Sequence, residues 1–314
     1  PIVMAISAAL ALGAIGVVSV RGLELSTDFT GGTSLLLQGE SELTVDTVRT
    51  TIDELGFEGV DGGAATVVAV EDDVLGDHLV SVRVGLTENE DVADQFPSEL
   101  ATALNASLLQ ADFVGPAVGA DLRRGAFYAV GVALALILLY VSWRFWPTWI
   151  VAIAAVIAAV HDVGITLGAI DMLGAEFSIP VLAAMLFVVG YSLNDSIIIA
   201  DRIRENLKKV RDRSYEEVVD LSVNQTLSRT LMTSGTTLLP VLALLLFGGS
   251  VLRDFSITLL IGIGVGTYSS IFILSPLVVW FKGRQRGALR TSARRSTRTQ
   301  QFLSSASPPA VTFR

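Results

Sequence analysis

The chain of 314 residues has no cysteine. A disulfide framework and a cysteine-ligated metal are therefore both excluded, and the redox compartment is left open. Charge is also scarce, at 17% of residues against 51% hydrophobic residues and a mean hydropathy of +0.61. One soluble core of this length does not use so much apolar material, so the composition implies an integral membrane protein. The sequence starts at Pro1 and is apolar from Ile2 onward, with neither an initiator Met nor a basic leader. The expectation is a trimmed chain rather than one led by a cleavable signal peptide.

What the sequence does have is six long apolar stretches: Ile2 to Val20, Gly125 to Trp143, Trp149 to Ile170, Phe177 to Ala200, Leu231 to Phe247, and Phe255 to Phe281. Each can span ~30 Å of hydrocarbon as a helix rising ~1.5 Å per residue. Pro240 in the fifth and Pro276 in the sixth predict kinks. Sixteen of the 22 Lys and Arg residues fall on one side: Arg144, the stretch 201–230, and the tail after Phe281. Such an excess marks the cytoplasmic side, where Trp143, Trp146, Trp149 and Trp280 also gather as interfacial indoles.

Residues 21–124 then lie outside, with five basic against twenty acidic residues. That acidity serves solubility or the binding of basic partners. Strand-like runs at Thr33 to Gln38, Ala65 to Val70, Leu79 to Val84 and near Ala111 to Val114 are interleaved with helical spacing at Val45 to Leu55 and Val92 to Leu108. Asp46 and Asp91 are placed to favour the starts of those helices. The order β-α-β-β-α-β is the split βαβ pattern. The fold class expected is thus membrane α-helical, with six transmembrane helices and one external α+β ferredoxin-like domain inserted between helices 1 and 2. Transmembrane helix 1 is assigned to 1–20, the external domain to 21–124, helices 2–6 to 125–281 with a cytoplasmic loop at 201–230, and a basic, disordered tail to 282–314. The tail's basic residues serve as a topological anchor or touch anionic membrane lipids.

Asn194 and Asp195 sit side by side inside the fourth span. An aspartate at that depth costs at least ~2.5–3.5 kcal/mol on insertion scales, so it persists only when it faces a partner or a water-filled path. Proton or ion handling is one reading of Asp195, and structural pairing with a neighbouring helix is the other. On a helix it shares a face with Tyr191, Ser192 and Ile198. Arg229, at the start of the fifth span, is either its counter-charge or a snorkelling interfacial arginine. His161 and Asp162 break the third span, as a proton relay or as satisfied core groups. Counted from the ends of their segments, Asp162 lies ~20 Å and Asp195 ~8 Å from the cytoplasmic boundary, a gap of ~12 Å that is too large for a shared proton. Asp201 and Arg202 are boundary charges or a conformational gate. Gly262, Gly264 and Gly266 lie inside an apolar span, which points to close helix packing through Gly262 and Gly266 and not to a nucleotide loop.

Four strings carry a resemblance: DFTGGT (Asp28 to Thr33), VGPAVGADL (Val114 to Leu122), HDVGITLG (His161 to Gly168) and VGYSLNDSIIIADRIREN (Val189 to Asn206). With them the chain, from Ile2 to about Arg284, resembles the SecF family, related to the resistance-nodulation-division transporters. The resemblance implies a proton- or sodium-driven, non-enzymatic helper of protein export in the bacterial inner membrane, with the N-terminal end and the tail cytoplasmic. Implied partners are SecD, the SecYEG channel and a translocating preprotein; no cofactor, metal or nucleic acid is implied. The family's intramembrane Asp maps onto Asp195 and its basic residue onto Arg229, while Asp28, Gly31, Gly32, Gly115, Pro116, Gly119 and Gly190 belong to its motifs. Alternatives are a half-transporter exporting a lipid or small amphiphile, an intramembrane aspartyl protease using Asp162 and Asp195, and a bare scaffold.

Overall fold

In a computed structural model, which describes residues 2–282 apart from 73–75, 86–89, 147–148 and 211, the chain folds as a helical bundle carrying one small sheet. The basic tail from 283 and Arg211 lie outside the described residues, as do the side chains of Asp91, Pro116 and Trp149.

Alternating apolar residues build the sheet. After α1 (Ile2–Arg21) and the single turn α2 (Thr27–Thr30) come β1 (Gly32–Gly39), α3 (Val45–Leu55), β2 (Thr66–Asp72), β3 (Gly76–Val84), α4 (Glu90–Ala103) and β4 (Ala106–Val114). The strands lie in the order β2-β3-β1-β4, and every neighbouring pair is antiparallel. Leu35 and Leu37 of β1 oppose Val82 and Val80 of β3, and this face packs on Val48 and Ile52 of α3 and on Phe96 and Leu100 of α4. Thr44 caps α3 by accepting the Thr47 amide, while Asp46 sits in the first turn; Gly56 ends the helix in the left-handed region. Helical spacing extended the second helix to Leu108, but α4 stops at Ala103 because residues 106–114 pair with β1 instead. Tertiary pairing overrides a weak local preference there.

The bundle consists of α1, α5 (Pro116–Arg144), α6 (Trp149–Met172), α7 (Ile179–Lys209), α8 (Tyr215–Phe247) and α9 (Gly249–Ser269). A π turn, Ser270–Leu274, carries α9 onward to Lys282. It ends two residues before Pro276, whose missing N–H and ring conflict with the carbonyl of Phe272, and one wider turn is a relief for that conflict. Pro240, by contrast, lies inside α8 without interrupting it. The core of the bundle is α6, α7 and α9: α6 buries 61% of its span, whereas α5 buries 6% and α1 11%.

Glycine lets these helices approach. A Cβ on Gly262 would stand 2.3 Å from Val188 Cγ2, and one on Gly266 3.0 Å from Ser192 Cβ, so α9 lies against α7 through this small-residue pair as its spacing implies. Gly168 and Gly164 do the same for α6 against Ala14 and Ile15 of α1.

Two boundaries differ from those the hydropathy suggests. Residues 201–230 are not a loop, since α7 continues to Lys209, α8 starts at Tyr215, and only 210–214 lie between them. The apolar run ends near Ala200, but the helices continue as polar segments on ion pairs from Glu205 to Arg202 and Lys209, and on a capping box of Ser214 with Glu217. Likewise α5 begins at Pro116, at the position where proline is pre-organised for a helix start, ahead of the apolar run at Gly125.

These contacts separate two glycines only two residues apart. Gly262→Ala should destabilise the solubilised protein by ~1–3 kcal/mol through overpacking against the stiff Val188. Gly264→Ala, with nothing within 4 Å of its added methyl, should be neutral or stabilising. Thermal unfolding followed by circular dichroism checks both.

Candidate functional site

α7 runs unbroken past the middle of the bundle, and Asp195 on it is fully buried with neither carboxylate oxygen hydrogen-bonded among the described residues. Arg229 of α8 is the cation whose charge acts on that carboxylate, without a hydrogen bond to it. The antiparallel register of α7 and α8 is set by Asn206 Nδ2 donating to Ser222 Oγ (2.9 Å) and Tyr191 Oη donating to Ser234 Oγ (3.2 Å). It brings Asp195 and Ser196 level with Thr230 and its neighbours. The Ser196 and Thr230 hydroxyls are also buried without a partner. Unpaired buried polar atoms are costly and call for an explanation.

Asp162 is treated in the opposite way. Its Oδ1 lies 2.9 Å from His161 Nδ1, and its Oδ2 accepts from Ser192 Oγ of α7 (2.5 Å) and Ser269 Oγ of α9 (2.7 Å). His161 Nε2 lies 2.6 Å from Ser7 Oγ of α1. With its proton on Nδ1, the imidazole donates to Asp162 and accepts from Ser7. Three helices thus meet on one carboxylate, and α1 joins them through His161.

Ser192 stands three residues from Asp195, so Asp162 reaches α7 within ~4.5 Å of Asp195 along the helix axis. The gap of ~12 Å read from segment ends is therefore corrected: α7 extends to Lys209, so Ala200 was not its end. Nearness does not make a dyad, because both Asp162 oxygens are already bonded.

The remaining candidates are dispersed. Asn194 is exposed on α7, in a stripe with Ala183, Phe187 and Gly190, and does not join the buried layer of Asp195. Asp201 pairs with Arg144 at 2.5 Å, and Arg202 donates to Glu205 and Gln225 at 2.7 Å, so these charges fasten the end of α7 to α5 and α8.

The DFTGGT and VGPAVG residues cluster at the opposite end of the bundle, next to the sheet. Asp28 Oδ2 accepts the backbone N–H of Ile179, the first residue of α7, at 2.9 Å. Gly31 and Gly32 have φ of 76° and 124°, and a Cβ on Gly32 would lie 2.4 Å from the Val84 carbonyl. A Cβ on Gly119 would come 3.1 Å from Gly31 N, which brings the first turn of α5 onto α2. Pro116 opens α5, whereas Gly115 and Gly190 have open space around them, and packing gives no reason for glycine at either position.

The second face of the sheet looks across a cavity of about 650 Å³ toward the loop between α6 and α7 and the start of α9. Arg83 of β3 crosses it to Glu176 at 2.5 Å, and Asp254 accepts the Glu176 amide at 3.0 Å. Burial holds the Glu176 carboxyl above its ordinary range; Arg83 opposes this, while Asp254, Glu24 and Asp28 add to it.

Sequence reasoning missed Ser7, Ser269 and Thr230, because a small hydroxyl inside an apolar run gives no sign of its partner across helices. Ser192 was visible only as a neighbour of Asp195 on one face.

A family model described as protein export membrane protein SecD/SecF, C-terminal, matches residues 97–284. The chain is 48% identical over 281 residues to protein translocase subunit SecDF of Thermus thermophilus, covering 88% of this chain and 37% of that one. It is 40% identical to SecF of Escherichia coli O157:H7, over 87% of this chain and 83% of that protein. The crystal structure of SecDF from the same Thermus species superposes with a TM-score of 0.80 at 47% identity, covering 90% of this chain and 37% of the other. A SecDF structure in a super-membrane-facing form gives 0.66 at 46% identity, over 92% and 39%. The chain thus spans just over a third of SecDF and most of SecF, and it belongs to the SecD/SecF family of multi-pass protein-export membrane proteins.

Proposed function

We propose that this chain is the SecF-type half of an inner-membrane complex that assists late steps of Sec-dependent protein translocation, with ion flow moving the domain between α1 and α5. In this reading that domain is ferredoxin-like and external, and the Arg-rich helix ends, the N-terminal end and the tail are cytoplasmic. The observation that carries it is Asp195, a carboxylate fully buried at mid-bundle with no hydrogen bond to either oxygen and Arg229 acting on it. Such a group can take up and release a proton where fixed hydrogen bonds, as at Asp162, would hold its charge state in place. The driving energy is adequate. One charge crossing 100 mV releases ~2.3 kcal/mol, and each unit of pH difference adds ~1.4 kcal/mol, enough to shift a two-state equilibrium tenfold or more.

A partner half follows from polar groups left uncovered. Arg229 and Asn194 are exposed on α8 and α7. In lipid that exposure is costly, so this face is read as covered by a SecD-type half, with the SecYEG channel and a preprotein as further partners. The lipid-exporter alternative requires an apolar tunnel at the domain. The cavity there has a mixed lining, in which Glu24, Asp28, Arg83, Glu176 and Asp254 stand among apolar residues such as Val68, Val70 and Phe113, so it is not an apolar passage. A protease dyad is disfavoured by the committed oxygens of Asp162.

In vesicles holding the complex with its SecD-type partner and the translocation channel, Asp195→Asn and Arg229→Ala should each lower gradient-dependent stimulation of export at least tenfold, with assembly intact. Wild-type stimulation in either variant removes that residue from the mechanism. Collapsing the pH and sodium gradients separately identifies the ion. This chain alone in vesicles should conduct few protons, since half of a two-fold body does not seal a pathway; dye-monitored flux equal to that of the complex contradicts the shared-site reading.

A further inference from the structure

The domain carrying the sheet is joined covalently to the bundle through α1 and α5, the helices that the core grips least, burying 11% and 6% of their spans. The helix carrying Asp195 is a different one. α1 and α5 reach α7 only through side chains, by way of Ser7, His161 and Asp162 and of Arg144 and Asp201, and the structure contains in addition a direct joint between the start of α7 and the domain.

That joint is built from segments far apart in sequence. The Ser26 amide donates to the Phe177 carbonyl at 3.1 Å and the Phe177 amide to the Glu24 carbonyl at 2.8 Å, so the chain entering the domain pairs with the chain entering α7. The Phe29 and Phe177 rings stack with centroids 5.7 Å apart. Asp28 then accepts the Ile179 N–H, the first of the amides that a helix start leaves without an internal partner. A carboxylate there gains from the positive end of the helix dipole and from a charge-assisted hydrogen bond. On the domain side the linkage is stiff. Two residues after α2, the chain becomes β1, a central strand of the sheet, through Gly32, where the Val84 carbonyl leaves no room for a side chain. On the bundle side α7 is continuous from Ile179 to Lys209, and Asp195 lies sixteen residues, ~24 Å, along it.

We propose that Asp28 is a positioning residue for energy coupling: its hydrogen bond to Ile179 ties the first turn of α7 to the base of the domain, so that displacement of α7 by ion exchange at Asp195 is transmitted to the sheet. The inference rests on the ion-coupled reading of Asp195 given above. The Arg83–Glu176 ion pair braces the same loop from β3, but it holds the loop, whereas Asp28 holds the helix itself.

The test separates ion movement from export in vesicles containing the assembled complex. Asp28→Ala should leave proton flux within twofold of wild type and lower export stimulation at least tenfold. Asp28→Asn, whose amide oxygen still accepts from Ile179, should keep at least half of the stimulation. Ile179→Pro removes the donor from the other side at a position that tolerates proline, and it should reproduce the Asp28→Ala phenotype. A purely structural role would lower flux and stimulation together. Wild-type stimulation in Asp28→Ala overturns the inference, as does parallel loss of flux and stimulation. Where Asp28→Ala fails to assemble, Ile179→Pro decides alone, and wild-type stimulation in it overturns the inference. Failure of the underlying reading shows differently: Asp195→Asn then retains both flux and stimulation, whatever Asp28→Ala does.

Discussion

Two carboxylates in the bundle, Asp195 on α7 and Asp162 on α6, which bonds to α7 at Ser192 less than a turn from Asp195, are handled in opposite ways, and the rest of the architecture depends on that contrast. Hydrocarbon offers no water to satisfy a polar atom, so every buried oxygen must find a partner within the protein or remain costly. Asp162 has both oxygens engaged, by His161, Ser192 and Ser269. Asp195 has neither engaged and feels Arg229 only through space. A fully bonded carboxylate resists any change of charge because several hydrogen bonds would have to reorganise. An unbonded one changes its state with little rearrangement nearby, and its energy responds most to a cation that moves.

The bonded carboxylate also determines what can move. Ser192 and Ser269 bring α7 and α9 onto Asp162 of α6, and glycine contacts at Gly262 and Gly266 press α9 further onto α7. These three helices therefore behave as a block. α8 joins this block through hydrogen bonds from Tyr191 to Ser234 and Asn206 to Ser222, and through Val241 packed with Val188 and Ile263. On the proposed mechanism the ion shifts this block against α8 and Arg229, and the block reaches the sheet through the first turn of α7.

Much of this was legible in the sequence because its causes are local. Six apolar runs located six helices, and alternation at Thr33 to Gln38 and Leu79 to Val84 located two central strands. Asp195 drew attention because charge at depth is costly, and Gly262 and Gly266 were correctly separated from a nucleotide loop by their apolar context. Illegible features depended on register between helices. No pattern within α6 indicates that Asp162 meets Ser192, nor within the DFTGGT string that Asp28 meets Ile179. Helix ends were misplaced where hydropathy reported the limit of lipid and the backbone simply continued, as at Lys209 and Pro116.

The environment of Asp195 also reaches the outer surface of the bundle, through Arg229. Its helix is buried over only 17% of its span, and the guanidinium is exposed on the outer side. Asn194 is exposed on the neighbouring helix, beside an unoccluded Gly190 that packing within this chain does not explain. An exposed asparagine beside a small residue in an apolar span suits a close meeting with another helix and is poorly suited to lipid. On the proposed reading, the exposed cation and the open small-residue stripe meet a second bundle, and Asp195, buried within this one, responds to that seam through Arg229.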